Sequence, residues 1–166
     1  MKKRAKMKIE LTATDKAIEF IGWFFILVIW ILTIISYNKL PDIIPIHYSE
    51  TGNADSFGGK AHILILPLIA SILFVGLTIL NKFPHIFNYP TNITKDNILK
   101  QYTNATRMIR YLKLIIVVII CFIAFRTIFY ANGKIEVFGT WFLPLMIASI
   151  LITLIYFIVK LTKNAS

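Results

Sequence analysis

The chain has 166 residues, of which 57% are hydrophobic, and its mean hydropathy is +0.73. These values exclude an ordinary soluble domain and predict an integral membrane protein. The formal net charge is +10 at pH 7. Because the basic residues lie beside the ends of apolar stretches instead of forming one stripe laced with aromatic residues, the predicted partner is anionic lipid and not nucleic acid.

Four apolar stretches approach the roughly 20 residues that a helix needs to cross the hydrocarbon layer. Three of them contain no Asp, Glu, Lys or Arg, and the other contains Arg126 and, at its start, Lys113. The predicted fold is therefore an all-α integral membrane protein with four transmembrane helices. The spans are predicted at about 20–37, 61–80, 112–130 and 138–159. A basic N-terminal region at 1–19 precedes a single four-helix membrane domain at 20–166.

The first apolar stretch follows several lysines and resembles a signal peptide in that respect. Its length exceeds the roughly 7 to 15 residues of a signal core, and the residues at 35–38 offer no small-x-small cleavage site. We therefore expect this helix to be retained as the first transmembrane span.

The distribution of Lys and Arg predicts the orientation. Six precede Phe20, two fall in 38–62, six fall in 81–113, one is at position 134, and two follow residue 159. By the positive-inside rule, both termini and the 81–113 loop are predicted to be cytoplasmic. The 38–60 segment is then predicted to face outward.

A weak internal repeat relates the second and fourth spans. Leu66–Leu73 reads LPLIASIL, and Leu143–Leu151 reads LPLMIASIL. If the likeness is not chance recurrence of common apolar residues, the chain consists of two parallel helical hairpins related about an axis along the membrane normal. Pro67 and Pro144 are expected to kink their helices near the outer side.

The loop after the second span is predicted to end in a cytoplasmic interfacial helix that runs into the third span. Thr94 is the expected N-cap of this helix. An apolar stripe follows at Ile98, Tyr102, Ala105, Ile109 and Leu112. Since basic residues occupy the other faces, we expect the helix to lie on anionic headgroups, with docking of a cytoplasmic partner as the alternative.

Two residues inside the third span bear on function. Arg126 lies beyond the middle of the hydrocarbon layer, so its side chain either extends to the outer headgroups or pairs with an acid of the outer segment, such as Asp42 or Asp55. Cys121 is the single cysteine of the chain, which excludes an intrachain disulfide.

The outward segment contains the residues that most resemble a functional site. Prolines 41 and 45 favour extended backbone, and glycines 52, 58 and 59 permit tight turns. His47, Glu50 and Asp55 could then converge as a proton-sensitive switch, an acid-base pair or a metal site. His62 is the other external histidine, so His47, Asp55 and His62 are candidate ligands of a divalent metal, although no zinc-type spacing supports them. The remaining possibility is a purely structural role for these side chains in an ordered extracellular loop.

These residues carry a resemblance to a known family. Leu40-Pro41-Asp42-x-Ile44-Pro45-x-His47, followed by Gly52-x-x-Asp55-x-x-Gly58-Gly59-Lys60, resembles the signature of the bacterial membrane family catalogued as domain of unknown function sixteen forty-eight. Similar segments occur in SdpI-like immunity proteins, which protect against a secreted toxin. The likeness extends through the loop at 83–90 to about residue 113.

Three function classes follow. The resemblance implies a bacterial immunity protein that confers antimicrobial peptide resistance, whose outward motif binds a secreted peptide toxin or shields its target. A second class is an accessory subunit of a membrane transporter or sensor. The third is an intramembrane metalloenzyme. Because the sequence contains no nucleophile-base pair or phosphate-binding glycine loop, we expect no enzymatic activity and no resident cofactor. The candidate binding or structural residues are Pro41, Asp42, Pro45, His47, Glu50, Gly52, Asp55, Gly59, Lys60 and Arg126.

Overall fold

The structure is a computed structural model and describes residues 4–133 and 138–163. It is mostly helical. The helices are α1 (Ala13–Tyr37), α2 (Ile65–Leu80), α3 (Ile98–Ala131) and α4 (Phe142–Lys163), and the strands β1 (Ile43–Tyr48) and β2 (Ala54–Gly59) lie between α1 and α2. Short 3-10 helices at Lys60–Leu64 and Pro84–Ile86 lead into and follow α2.

The four predicted transmembrane helices are confirmed. Helices at Ala13–Tyr37, Lys60–Leu80, Ile98–Ala131 and Phe142–Lys163 are long and apolar enough to cross a membrane. The β1–β2 hairpin adds a two-stranded sheet to the predicted all-α fold. The bundle has two ends, which we name the hairpin end and the N-terminal end. The N-terminal end carries residues 4–12, the 81–97 loop and the end of α4.

Helix α1 begins seven residues earlier than its uncharged stretch because a capping box starts it. The Asp15 amide donates to Thr12 Oγ1 at 3.3 Å, and the Thr12 amide donates to Asp15 Oδ2 at 3.0 Å. This reciprocal pair satisfies two amides that the helix itself leaves unpaired. The boundary predicted at residue 20 therefore falls inside α1.

Helix α3 contains both the predicted interfacial helix and the third span. It is continuous over 34 residues, or about 51 Å at ~1.5 Å per residue. Because the hydrocarbon layer is only about 30 Å thick, the first turns of α3 stand beyond it as part of the bundle. Thr94 is also not the N-cap, which is Asn97, although the Thr94 amide donates to Asn97 Oδ1 at 2.9 Å.

Pro67 and Pro144 lie at the starts of α2 and α4 and not in their interiors. Pro67 is the third residue of α2, and Pro144 is the third residue of α4. Amides of the first turn of an α-helix have no partner inside it, so a proline there removes no α-helical hydrogen bond. At Pro67 the chain has just changed from a 3-10 helix to an α-helix. The two-hairpin repeat itself remains a prediction.

The apolar core lies where α1, α2 and α3 meet. Phe74 of α2 is fully buried, and its ring lies so close to Gly22 of α1 that a Cβ there would come within 2.3 Å of Phe74 Cε2. Val117 and Ala124 of α3 complete this contact and are also fully buried. Helix α4 packs along α3 and leaves most of its surface uncovered, as expected of a helix that faces lipid.

At the N-terminal end, five charged side chains of α1 and α3 form what we call the ion cluster. Arg107 Nε lies 3.0 Å from Asp15 Oδ1, and Lys113 Nζ lies 2.6 Å from Glu19 Oε2. Arg110 lies between them, 3.3 Å from Glu19 and 3.8 Å from Asp15. Spacings of four residues on α1 and three on α3 place these charges on facing sides of the two helices.

The ion cluster corrects the headgroup prediction for Arg110 and also buries Lys113, whereas Lys100 of α3 is exposed. Lys113 is 1% exposed and Arg110 is 5% exposed. Lys113 Nζ also donates to Thr78 Oγ1 of α2 at 2.6 Å and lies 4.3 Å from the centre of the Phe74 ring. Lys113 thereby links α1, α2 and α3 through Glu19 and Thr78.

We expect Glu19→Gln to lower the free energy of unfolding by about 3 kcal/mol, because it leaves the buried Lys113 charge without its carboxylate. Lys113→Met should cost less, because Glu19 keeps Arg110 at 3.3 Å. The double variant should lose clearly less than the sum of the two single losses. Equilibrium unfolding in mixed detergent micelles measures both. Lys100→Met, an exposed position of α3, is the control and should change stability by no more than about 0.5 kcal/mol. Additive losses would show that Glu19 and Lys113 do not act as a pair.

The positive-inside rule generates a labelling prediction for the two ends of the bundle. In a Cys121→Ala background, Ser56→Cys should react with a membrane-impermeant maleimide in intact cells, whereas Lys95→Cys should react only after permeabilisation. Both positions are exposed, so burial does not confuse the result. If only Lys95→Cys were labelled in intact cells, the orientation would be the opposite of the one predicted.

Candidate ligand-binding site at the hairpin end

The signature segment folds as the antiparallel hairpin β1–β2. Ile43 pairs with Gly59, Ile44 with Gly58 and Pro45 with Phe57, and the register shifts on either side of His47. Proline lacks an amide donor, so it suits a short hairpin that has irregular pairing beside it. The hairpin shows why both prolines and β-branched residues occur in this segment, since each favours extended backbone.

The hairpin packs on the bundle mainly through Ile44 and Pro45 of its first strand, which are buried. Ile44 is 1% exposed and contacts a cluster with Leu40, Ile63 and Ile128. On the opposite face, Ile43 and Phe57 are more than half exposed. The hairpin therefore has one face fixed to α3 and one apolar face that remains uncovered.

The tip of the hairpin is a tight turn that requires glycine. The Gly52 amide donates to Ser49 O at 2.8 Å, and Gly52 has φ of 82°. A Cβ at this position would lie 2.8 Å from the Phe138 backbone. Glycine is therefore required at position 52 for two reasons: the backbone is left-handed there, and the segment before α4 leaves no room for a Cβ.

Two pairs of charged side chains form along the hairpin. His47 Nδ1 lies 2.6 Å from Asp55 Oδ1, and Lys60 Nζ lies 3.0 Å from Asp42 Oδ1. The Lys60 amide also donates to Asp42 O at 2.9 Å, so the second pair closes the base of the hairpin. Asp42 is therefore part of the base, whereas His47 and Asp55 are exposed at the side.

The three candidate metal ligands do not converge. His62 Nδ1 lies 2.8 Å from Gly59 O, at the start of the 3-10 helix, and away from the His47–Asp55 pair. Within residues 4–133 and 138–163, no three His, Cys, Asp or Glu side chains are grouped in a way that could hold a metal ion. His47 and Asp55 alone supply two of the four ligands of an ordinary zinc site.

A cleft of about 700 Å³ separates the hairpin from α3 and the start of α4. One wall is polar and carries His47, Glu50 and Asp55. The other wall is apolar. Its residues are Ile123, Phe138, Phe142, Leu143 and Met146. Of the predicted site residues, these three polar side chains are the ones that meet at one cavity, together with Gly52 of the turn.

Tyr48 joins the hairpin to α3 and was not identified from the sequence. Its hydroxyl lies 2.7 Å from Thr127 Oγ1, and its ring packs edge-on against Phe138 at 4.7 Å between centroids. Burial raises the pKa of the Tyr48 phenol above its ordinary value. The partners lie about 80 and 90 residues further along the chain, so no local pattern of the sequence indicated this contact.

Arg126 does not pair with either outer carboxylate as one prediction proposed. Asp42 pairs with Lys60 and Asp55 pairs with His47, while the Arg126 guanidinium carbon lies 5.7 Å from the centre of the Phe138 ring. A cation near an aromatic face is favourable in a site shielded from water. Arg126 thus stands beside the segment that forms the apolar wall of the cleft.

Comparison with known proteins supports the family resemblance. Residues 24–70 match the family model described as "Domain of unknown function (DUF1648)". The resemblance drawn from the signature is confirmed for this segment. It covers most of α1, the whole hairpin and the start of α2, and the match does not extend to the loop at 83–90.

One curated relative is an uncharacterized protein of Archaeoglobus fulgidus, 31% identical over 88 residues. The alignment covers 48% of this chain and 48% of that protein, so the chain matches about half the length of its relative. Because this relative is archaeal, proteins similar to this chain are not confined to bacteria. No solved structure matches the chain.

We expect Gly52→Ala to destabilise the hairpin by more than about 1 kcal/mol, because alanine is strained at positive φ and its Cβ would clash with Phe138. Gly59→Ala is the matched control. Gly59 has φ of −60°, and a Cβ added there would meet nothing within 4 Å, so this change should be nearly neutral. Amide hydrogen exchange over residues 43–59 measures the difference. Equal exchange in the two variants would contradict the turn geometry.

Proposed function

We propose that this multi-pass membrane protein is an immunity or resistance protein whose hairpin end binds a secreted, membrane-active peptide. The proposal assigns a binding role with no catalytic step. The single observation that carries it is the cleft beside the hairpin, because its two walls have opposite character. A membrane-active peptide is itself amphipathic, with one cationic or polar face and one apolar face.

The polar wall suits the cationic face of such a peptide. Glu50 and Asp55 supply carboxylates to the cleft, and the His47–Asp55 pair is 69% and 44% exposed on its two side chains. These groups are accessible and require little desolvation before a ligand reaches them. Charged groups in this position attract and orient a partner more than they add to affinity.

The apolar wall suits the other face of the peptide. Phe142, Leu143 and Met146 come from the first turns of α4, where the helix enters the apolar layer. Ile46 of the hairpin also lines the cleft and is exposed, so it adds to the apolar surface that the peptide would contact. A peptide that lies flat at the membrane surface would contact both walls without entering the hydrocarbon layer.

The proposed orientation places the cleft where a secreted peptide arrives. The positive-inside rule assigns both termini to the cytoplasm and the hairpin end to the exterior of a bacterial cell membrane. The signature resembles that of SdpI-like immunity proteins, and it lies in the hairpin that forms the polar wall of the cleft. This resemblance supports a role in immunity.

The accessory-subunit alternative has less support. It relied on a basic helix free to dock a cytoplasmic partner, and Arg110 and Lys113 of that helix are buried in the ion cluster. The metalloenzyme alternative is weakened because His62 lies apart from His47 and Asp55. A peptide partner remains the proposal that uses the residues brought together at the cleft.

We expect expression in a sensitive Gram-positive host to raise tolerance to at least one membrane-active peptide from a panel of secreted toxins. His47→Ala and Asp55→Ala should remove this protection while the protein remains at normal abundance in the membrane, because both side chains are exposed and do not support the fold. Dose-response curves and quantitative immunoblots measure the two quantities.

Ser56→Ala is the matched control for these variants. Ser56 is exposed on the same hairpin and does not line the cleft, so protection should persist. Full protection by both cleft variants would refute the site. Recovery of a transporter subunit with a chain that protects against no peptide would favour the accessory role instead.

A further inference from the structure

A second cavity of about 700 Å³ lies at the N-terminal end of the bundle, on the opposite side from the hairpin cleft. It is enclosed by the segment 6–11, the C-terminal end of α2 with the turn that follows, and side chains of α1 and α3. Neither the DUF1648 segment nor the peptide proposal assigns it a role. Its wall has an unusual charge balance.

Cations outnumber carboxylates around this cavity. Lys6, Lys8, Lys82 and Arg110 line it, and Glu19 is the one carboxylate among its described lining residues. The charge of Glu19 is already matched, because Lys113 lies 2.6 Å away and Arg110 lies 3.3 Å away. The cavity therefore has an uncompensated positive potential that favours an anion.

The excess of positive charge includes a buried cation, Arg110, as well as lysines at the surface. The ion cluster contains three cations, Arg107, Arg110 and Lys113, and two carboxylates. Arg110 is 5% exposed, and within the described part of the chain its Nε and Nη1 atoms make no well-directed hydrogen bond. A buried cation is costly unless it is paired and hydrogen-bonded, so a bound anion near Arg110 would stabilise the cluster.

The position of the cavity indicates a lipid source for the anion. Glu19 directly precedes the uncharged stretch of α1, and Lys82 directly follows that of α2. The cavity therefore lies at the boundary between the hydrocarbon and headgroup layers, where phospholipid phosphates are found. Met7, Leu11 and Phe83 supply apolar lining beside the charged groups, as a headgroup with attached acyl chains requires.

Asn81 narrows the kind of headgroup. Its amide group donates to Thr106 O at 3.0 Å, while its Oδ1 is buried and has no hydrogen-bond partner among the described residues. A headgroup that carries hydroxyls beside its phosphate can donate to such an acceptor. A glycerol headgroup has this combination.

We propose that this cavity binds the headgroup of an anionic phospholipid, with Arg110 as the buried phosphate contact and Lys6, Lys8 and Lys82 at its rim. Basic pockets between transmembrane helices on the cytoplasmic side hold such headgroups in other membrane proteins. The site would fix segment 6–11 against the bundle, because two of its lysines would share the lipid phosphate with α2.

The test uses the full chain purified in mild detergent and delipidated. Native mass spectrometry measures retention of phosphatidylglycerol and phosphatidylcholine offered at equal concentration. Phosphatidylglycerol should be retained at least about tenfold better. Lys8→Gln combined with Lys82→Gln should reduce that retention by about 25-fold, since each lysine near a lipid phosphate contributes about a fivefold effect.

Lys95→Gln combined with Lys100→Gln is the matched control. It removes two exposed lysines from the same end of the protein without touching the cavity, so retention should change less than about twofold. Arg110 is left intact because its loss would also disturb the ion cluster. Equal retention of the two lipids, or equal losses in the two double variants, would overturn the proposal.

Inorganic phosphate separates the two sources of the anion. At millimolar concentration it should leave most of the phosphatidylglycerol bound, because the apolar lining contributes to lipid binding and not to phosphate binding. Displacement of the lipid by inorganic phosphate at equal concentration would show that the cavity is a site for a free anion, and the lipid assignment would be wrong.

Discussion

Two carboxylates at the edge of the apolar layer set the arrangement of the whole bundle. Asp15 and Glu19 lie one helical turn apart on α1, where an unpaired charge is costly. Their cationic partners lie on α3, which must therefore run beside α1 with Arg107, Arg110 and Lys113 at the same depth. Lys113 also donates a hydrogen bond to Thr78 of α2. Below this cluster, the ring of Phe74 occupies the space at Gly22 and closes the apolar core.

Helix α3 transmits this arrangement to the hairpin end. One helix of 34 residues carries the ion cluster near its start and Thr127 and Ile128 near its end. Ile128 packs under Ile44, and Thr127 meets the Tyr48 hydroxyl. The helix that is paired with α1 at one end of the bundle is therefore the helix on which the hairpin packs at the other.

The cleft also shows why a family match over one segment is an incomplete guide to function. Residues 24–70 contain the signature and the polar wall. The apolar wall is built from α3, Phe138 and the start of α4, all outside that segment. Proteins that share the hairpin can therefore differ in the surface that faces it, and ligand preference can differ with that surface.

The sequence by itself determined the four membrane spans, because continuous apolar stretches of this length have few other stable solutions in water or lipid. The sequence also predicted that His47 and Asp55 converge, since prolines and glycines limit the backbone conformations of this short segment to extended stretches and turns. Only the tertiary structure decided that Arg110 and Lys113 are buried and that Arg126 lies beside Phe138. A charge pattern along one chain locates the ends of helices, but it does not say which helices are neighbours. Pairing between side chains about 90 residues apart depends on that neighbourhood.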